Sequence, residues 1–234
     1  MRTRKQTAAS GIVVNVLIIT MIAALYFSTS SDVMVPAAAA DVFYAPPIYR
    51  GQADDAVALQ FAVDYQASAL EDILDTLSQN DIKLTFAVSG KWARDNAKLL
   101  KRIVDEGHEV ATMGNDHSSD GNLSWVVSDV EKSLDTVELI SGTRPTLYYS
   151  GEYRSIPVSS YAAEKLDLTQ VLCTVDLLCA RGSSADIIQR FEKVCEPSSI
   201  ILAQPTKAMS ESLDDIIKIL KSKGLSVTTV SDIL

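Results

Sequence analysis

From Ala56 onward the chain alternates short apolar runs with longer stretches in which apolar residues recur every three or four positions. The runs AVALQFAV (56–63), KLTFAV (83–88), HEVATM (108–113), TLYY (146–149), LTQVLCTV (168–175), SIILAQ (199–204) and LSVTTV (225–230) read as buried strands. The stretches between them carry helical stripes. Leu70, Ile73, Leu74 and Leu77 form the first. Trp92, Leu99, Leu100, Ile103 and Val104 form the second, with Asn96 as its polar member; Val126, Val130, Leu134 and Val137 form the third. A weak helix over Val158–Leu166, one over Ala185–Val194 and one through Leu213, Ile216, Ile217 and Leu220 complete the set. Gly107, Gly142 and Gly224 stand where C-caps belong, and Ser124 and Ser183 or Ser184 where N-caps belong. Strand and helix alternate without an internal repeat. The pattern predicts an α/β fold of about seven parallel strands with helices outside, and an open doubly wound sheet and a β/α barrel satisfy it equally.

The first 55 residues follow a different pattern. Gly11–Phe27 is an apolar run of 17 residues interrupted by Asn15 and Thr20, preceded by Arg2, Arg4 and Lys5 and followed by no basic residue before Arg50. That is the positive-inside pattern of a single membrane span with the remainder outside the cytoplasm; a cleaved signal ending near Ser30 or Ala40 is the alternative. The expected organisation is a cytoplasmic tail at 1–10, a transmembrane anchor at 11–29, an Ala/Pro/Ser stalk at 30–54 and one domain at 55–234, placing it at the cell membrane with its domain on the extracytoplasmic side.

Charge narrows the partners. The chain is 47% hydrophobic and 22% charged with a formal net charge of −9, and residues 1–27 contribute three positive charges, so the remainder carries −12. A domain of that sign has no electrostatic footprint for nucleic acid. Cys173, Cys179 and Cys195 allow at most one internal disulfide and show no metal-binding spacing.

Chemistry in parallel α/β folds gathers where strands end at their C-terminal edge, which draws attention to the loop Gly114–Gly121 with Asp116, His117 and Asp120. The surrounding segments TFAVSGKW, KRIVDEGHE and NLS resemble the polysaccharide deacetylase (NodB-homology) family, and the resemblance runs more weakly from about Ile48 to Leu234. It implies that family's irregular (β/α) barrel. It also implies a centre in which an Asp and two His hold a divalent metal, usually zinc, a neighbouring Asp acts as base, a later His as acid, and an Arg-containing segment lines the groove for N-acetylated amino sugars.

The framework matches but the catalytic positions depart from it. Where the family has L-T-F-D-D-G this chain has Leu59-Gln60-Phe61-Ala62-Val63-Asp64, so Ala62 stands at the base position and Val63 at the metal-ligand position. Met113 stands at the first loop His, Gln204 at the acid His, and the groove segment reads Tyr148-Tyr149-Ser150-Gly151-Glu152-Tyr153. A valine cannot coordinate and a thioether does not replace imidazole on zinc, so no metal and no catalytic residue is expected. The reading is a catalytically inactive deacetylase-like protein that binds glycan or an envelope partner, with Tyr148, Tyr149 and Tyr153 as candidate sugar contacts. Two alternatives stand beside it. One is an active hydrolase on N-acetylated amino sugars with a rebuilt oxygen/nitrogen metal site at Asp64, Asp116, His117 and Asp120, suited to Mn, Mg or Ca. The other is a protein-interaction scaffold. A Ser-His-Asp site built on His117 has no G-x-S-x-G turn to frame it.

Overall fold

The computed structural model describes residues 18–22, 45–64, 67–116, 122–151 and 157–234. Residues 18–22 are helical, the remainder of the expected anchor lies outside the described residues, and among these no helix is long and apolar enough to cross a membrane. The unit Tyr44–Leu234 is compact in its own right.

Eight parallel strands make one curled sheet. β1 (Ala56–Val63) is central, pairing with β2 (Thr85–Val88) on one side and β7 (Ile200–Ala203) on the other. β3 (Glu109–Thr112), β4 (Leu147–Tyr148) and β5 (Thr169–Gln170) extend the β2 side. β6 (Val175–Asp176) flanks β7, and β8 (Ser226–Thr228) pairs with the first residues of β1. β5 and β6 end the ladder. Between them runs the entering chain: Ile48 pairs with Val171, and Arg50 with Ser199 just before β7. Residues 45–54, expected in the stalk, are therefore bonded into the barrel.

The strands have two buried faces, as strands covered on both sides must. Val57, Leu59, Phe61 and Val63 of β1 point to the helix layer and join Phe86, Val88 and the inner stripes of α1 (Leu70–Gln79), α6 (Ser184–Val194) and α7 (Lys207–Lys223). Phe61 stacks on Phe86 with ring centroids 5.4 Å apart. The opposite face is built of small residues, Ala58, Ala87 and Ala111, against Ile200, Leu202, Met113 and Tyr149. Gln60 shares that interior face, fully buried, and among the described residues neither its Oε1 nor its Nε2 has a hydrogen-bond partner.

Local chemistry sets the helix ends. Ser183 and Asp186 form a capping box at α6. α7 ends at Gly224 and α4 (Leu123–Ser141) at Gly142, both in the left-handed region that glycine enters without strain. α5 (Pro157–Lys165) follows β4, and α8 (Val230–Ile233) follows β8, with its Val230 N–H donating to Thr85 Oγ1 at 2.7 Å.

Three elements differ from expectation. The stripe beginning at Trp92 is two helices, α2 (Gly90–Asp95) and α3 (Ala97–Asp105), because Asn96 leaves the helical region at φ −125°, ψ 40° and its amide donates back to Trp92 O at 3.0 Å. The run 168–175 is not one strand but two dipeptide strands joined by Val171–Thr174. The N-cap of α4 is Asn122, whose Oδ1 accepts from Trp125 N–H at 3.0 Å; Ser124 is inside the helix and donates to that same oxygen.

Candidate functional site

The C-terminal ends of β1, β2 and β3 meet at one rim. Ser89, just past β2, caps α2 by accepting from Trp92 N–H at 3.2 Å and donates its own proton to Asp64 Oδ1 at 3.0 Å. The first two N–H groups of α2 donate to Gly114 O and Asn115 O at 3.0 and 3.1 Å, so the helix start is already satisfied by the β3 loop. From the other side, Asp129 of α4 accepts from Asn115 N–H at 2.8 Å and Asp116 N–H at 3.1 Å. Burial raises the Asp129 carboxyl above its ordinary value and the two backbone donors oppose that. Gly114 has φ +84°, and a Cβ there would lie 2.6 Å from Asp129 Oδ2, so the close approach of loop and carboxylate requires glycine.

Above this frame opens a cleft of about 600 Å³. Asp64, Ser68 and Ala67 line its β1 side; Lys91, Trp92, Asp95 and Asn96 of the α2 region and Asp116 line the rest. Lys91 Nζ is 2.8 Å from Asp116 Oδ1, and this bond holds the Asp116 carboxyl below the usual carboxylate range and the Lys91 ammonium above its own. Both side chains are solvent-exposed, so the pair positions the loop more than it stabilises the fold.

The positions singled out in the sequence fall as follows. Ala62 faces the barrel interior, half-buried. Val63 is 0% exposed and faces the helix layer, not the cleft. Met113 is 2% exposed and fills the interior beside Ala111 and Tyr149. Gln204 is a strut: its Oε1 accepts from Cys179 N–H at 3.1 Å, tying the end of β7 to the turn after β6, where Asp176 Oδ1 accepts from Leu178 N–H at 2.7 Å. Asp64 and Asp116 do share the cleft, whereas His117, Asp120 and Tyr153 lie outside the described residues. Tyr148 and Tyr149 are each 3% exposed, Tyr148 against Val126, Val130 and Leu134 and Tyr149 in the interior cluster. As sugar contacts these two are corrected: a barrel strand buries residues of both parities. The zinc set of the resembled family does not fit the side chains present. The ligand position at 63 offers a buried isopropyl group, position 113 a buried thioether, and among the described residues no three His, Cys, Asp or Glu converge on one point.

Pattern reading missed Asp129, Lys91 and Asp95. Asp129 carried a signal, an acid lodged between Val126 and Val130 on the buried stripe of α4. Lys91 and Asp95 carried none, being ordinary charges at the two ends of a short helix.

A curled parallel sheet with its cleft at the C-terminal strand ends defines a (β/α)-barrel domain. The polysaccharide deacetylase profile matches residues 50–171, and the chain belongs to that family. The chain is 30% identical over 194 residues to the uncharacterized protein YlxY of Bacillus subtilis, covering 80% of this chain and 60% of that one. It is 25% identical over 192 residues to the peptidoglycan-N-acetylglucosamine deacetylase PgdA of Listeria monocytogenes, covering 80% of this chain and 41% of PgdA. The chain thus spans less than two thirds of either relative. Among solved structures it is similar to BA3943 of Bacillus anthracis, a CE4 family pseudoenzyme, with TM-score 0.76 and 26% identity over 83% of this chain and 70% of that one. A BA3943 mutant with restored enzymatic activity gives TM-score 0.77 at 25% identity, over 83% of this chain and 72% of the mutant.

Proposed function

We propose that this chain is a membrane-anchored, extracytoplasmic deacetylase-like protein that has lost catalysis and binds amino-sugar glycan of the cell envelope in the cleft over β1–β3. The observation that carries the loss of catalysis is the fate of the four degenerate positions. Val63 and Met113 are packing residues, Gln204 is a hydrogen-bonded strut, and Ala62 has no proton to move. A metal-activated water has neither ligands nor base there, so no metal is required for the fold or the function. The likeness to the pseudoenzyme BA3943 supports the same reading. The glycan class follows the name of PgdA, and the location rests on the basic residues ahead of Gly11–Phe27. A rebuilt centre on Asp64 and Asp116 would have to displace Ser89 from the first and Lys91 from the second.

The test is metal analysis of the purified protein with melting curves in the presence and absence of EDTA, alongside sedimentation with insoluble peptidoglycan. The expected result is substoichiometric metal, coincident melts and co-sedimentation. Stoichiometric metal with a melt lowered by chelation refutes the metal-free reading, because a bound ion stabilises by mass action. Failure to sediment refutes the glycan reading.

A further inference from the structure

The cleft has a charge character that its place in the family does not explain. Among the described residues, three carboxylates, Asp64, Asp95 and Asp116, line it against one ammonium, Lys91. Lys91 is bonded to Asp116, and Asp64 takes the Ser89 proton on Oδ1. Asp95, in the last turn of α2, has no hydrogen-bond or ion-pair partner among the described residues. The three acids do not converge: no group of them could hold one metal ion. They are instead spread over the walls of a cleft of about 600 Å³, a size that admits an extended ligand, with Ser68 and the largely buried Trp92 also in its lining. A neutral N-acetylated sugar offers these carboxylates hydroxyl and amide donors but no charge. A sugar polymer with a free ammonium on each ring offers the same hydroxyls and pairs charge at several points at once.

We propose that the cleft selects the de-N-acetylated form of an amino-sugar strand, a glucosamine-type polycation, over the N-acetylated form. The inference rests on the glycan-binding reading above and adds to it which form of the glycan is read. Its ligand is the product of amide hydrolysis, so a catalytically complete deacetylase must act before this protein does. Lys91 then limits the attraction by holding one of the three carboxylates.

The test is titration calorimetry of the purified full-length protein in detergent with a β-1,4-linked glucosamine tetramer and with its N-acetylated counterpart. At about pH 6 the sugar amines are protonated. The expected result is tighter binding of the glucosamine tetramer by about fivefold or more, an advantage that shrinks in Asp95→Asn and grows in Lys91→Met. It also fades in about 0.5 M salt. Glu211→Gln, an exposed acid on α7 that is not among the residues lining the cleft, controls for the overall negative charge and leaves the advantage in place. Equal or tighter binding of the acetylated tetramer overturns the charge selection while leaving glycan binding intact. A loss in Glu211→Gln as large as in Asp95→Asn also overturns it, because attraction would then belong to the whole protein. Binding of neither tetramer, in a preparation that still sediments with peptidoglycan, overturns it as well; failure of both measurements brings down the glycan reading itself.

Discussion

Replacing His108 by Gln should make the domain less sensitive to acid. His108 precedes β3, its side chain is 0% exposed, and its ring lies edge-on to Phe86 with centroids 5.1 Å apart. Nδ1 accepts from Leu84 N–H at 3.2 Å, so the proton of the neutral ring is on Nε2. The nearest acid, Glu106, has Oε2 at 3.7 Å from Nε2, too far for a hydrogen bond. Burial, with Lys83 nearby, pushes the pKa down from 6.5 to about 4 against the pull of Glu106. The folded value is below the unfolded one, so the unfolded chain binds more protons between them. The contribution is fully present above pH 6.5 and is lost as pH falls toward 4. With these values the loss by pH 5 is about 2 kcal/mol and tends to about 3 kcal/mol at lower pH. Gln keeps an acceptor for Leu84 N–H and does not titrate. Urea denaturation of protein and variant at pH 7.5 and pH 5 isolates the effect as a double difference, in which the shared titration of carboxylates cancels. The variant should lose about 2 kcal/mol less than the parent on going to pH 5. Losses equal within about 0.5 kcal/mol would show that His108 is not held neutral by the fold.

Gln60→Met removes a buried amide without partners at nearly constant volume and should raise the melting temperature, by about 2–4 °C for each kcal/mol relieved. A fall instead would reveal a partner inside the barrel. Gly114→Ala places a methyl against Asp129 Oδ2 at a positive φ and should destabilise by roughly 2–3 kcal/mol in denaturant titrations; a neutral result would mean that the loop moves freely from α4. Gln204→Ala should leave metal content unchanged and cost about 1 kcal/mol through the lost Cys179 bond, whereas a larger effect on glycan sedimentation than on stability would place Gln204 in the binding surface.

The fold was largely legible because its signals were local. AVALQFAV reads as β1 with the boundaries observed, and Leu70, Ile73, Leu74 and Leu77 are the buried face of α1. What escaped was information that periodicity does not carry. Asn96 sits in phase with the stripe around it, so nothing marks the break that its amide bond to Trp92 O creates. The run 168–175 reports burial, which Val171, Leu172 and Cys173 share although Val171 makes only an isolated bridge, to Ile48 of the entering chain. The resemblance put Ala62, Val63, Met113 and Gln204 at the family's catalytic positions, but did not say which way these side chains face. That Val63 packs into the helix layer, and that Tyr148 of β4 and Tyr149 just past it are sealed in two different clusters, follow from barrel closure, which brings together segments remote in sequence.

The central claim is that this family member does not hydrolyse. Its most direct test is acetate release from N-acetylated glucosamine oligomers by the purified protein, with zinc, manganese and cobalt each supplied in excess. The account predicts release no greater than the protein-free blank with every metal, and no change in His117→Ala. Metal-dependent release that disappears in His117→Ala would contradict it and would establish a rebuilt centre in the loop after β3.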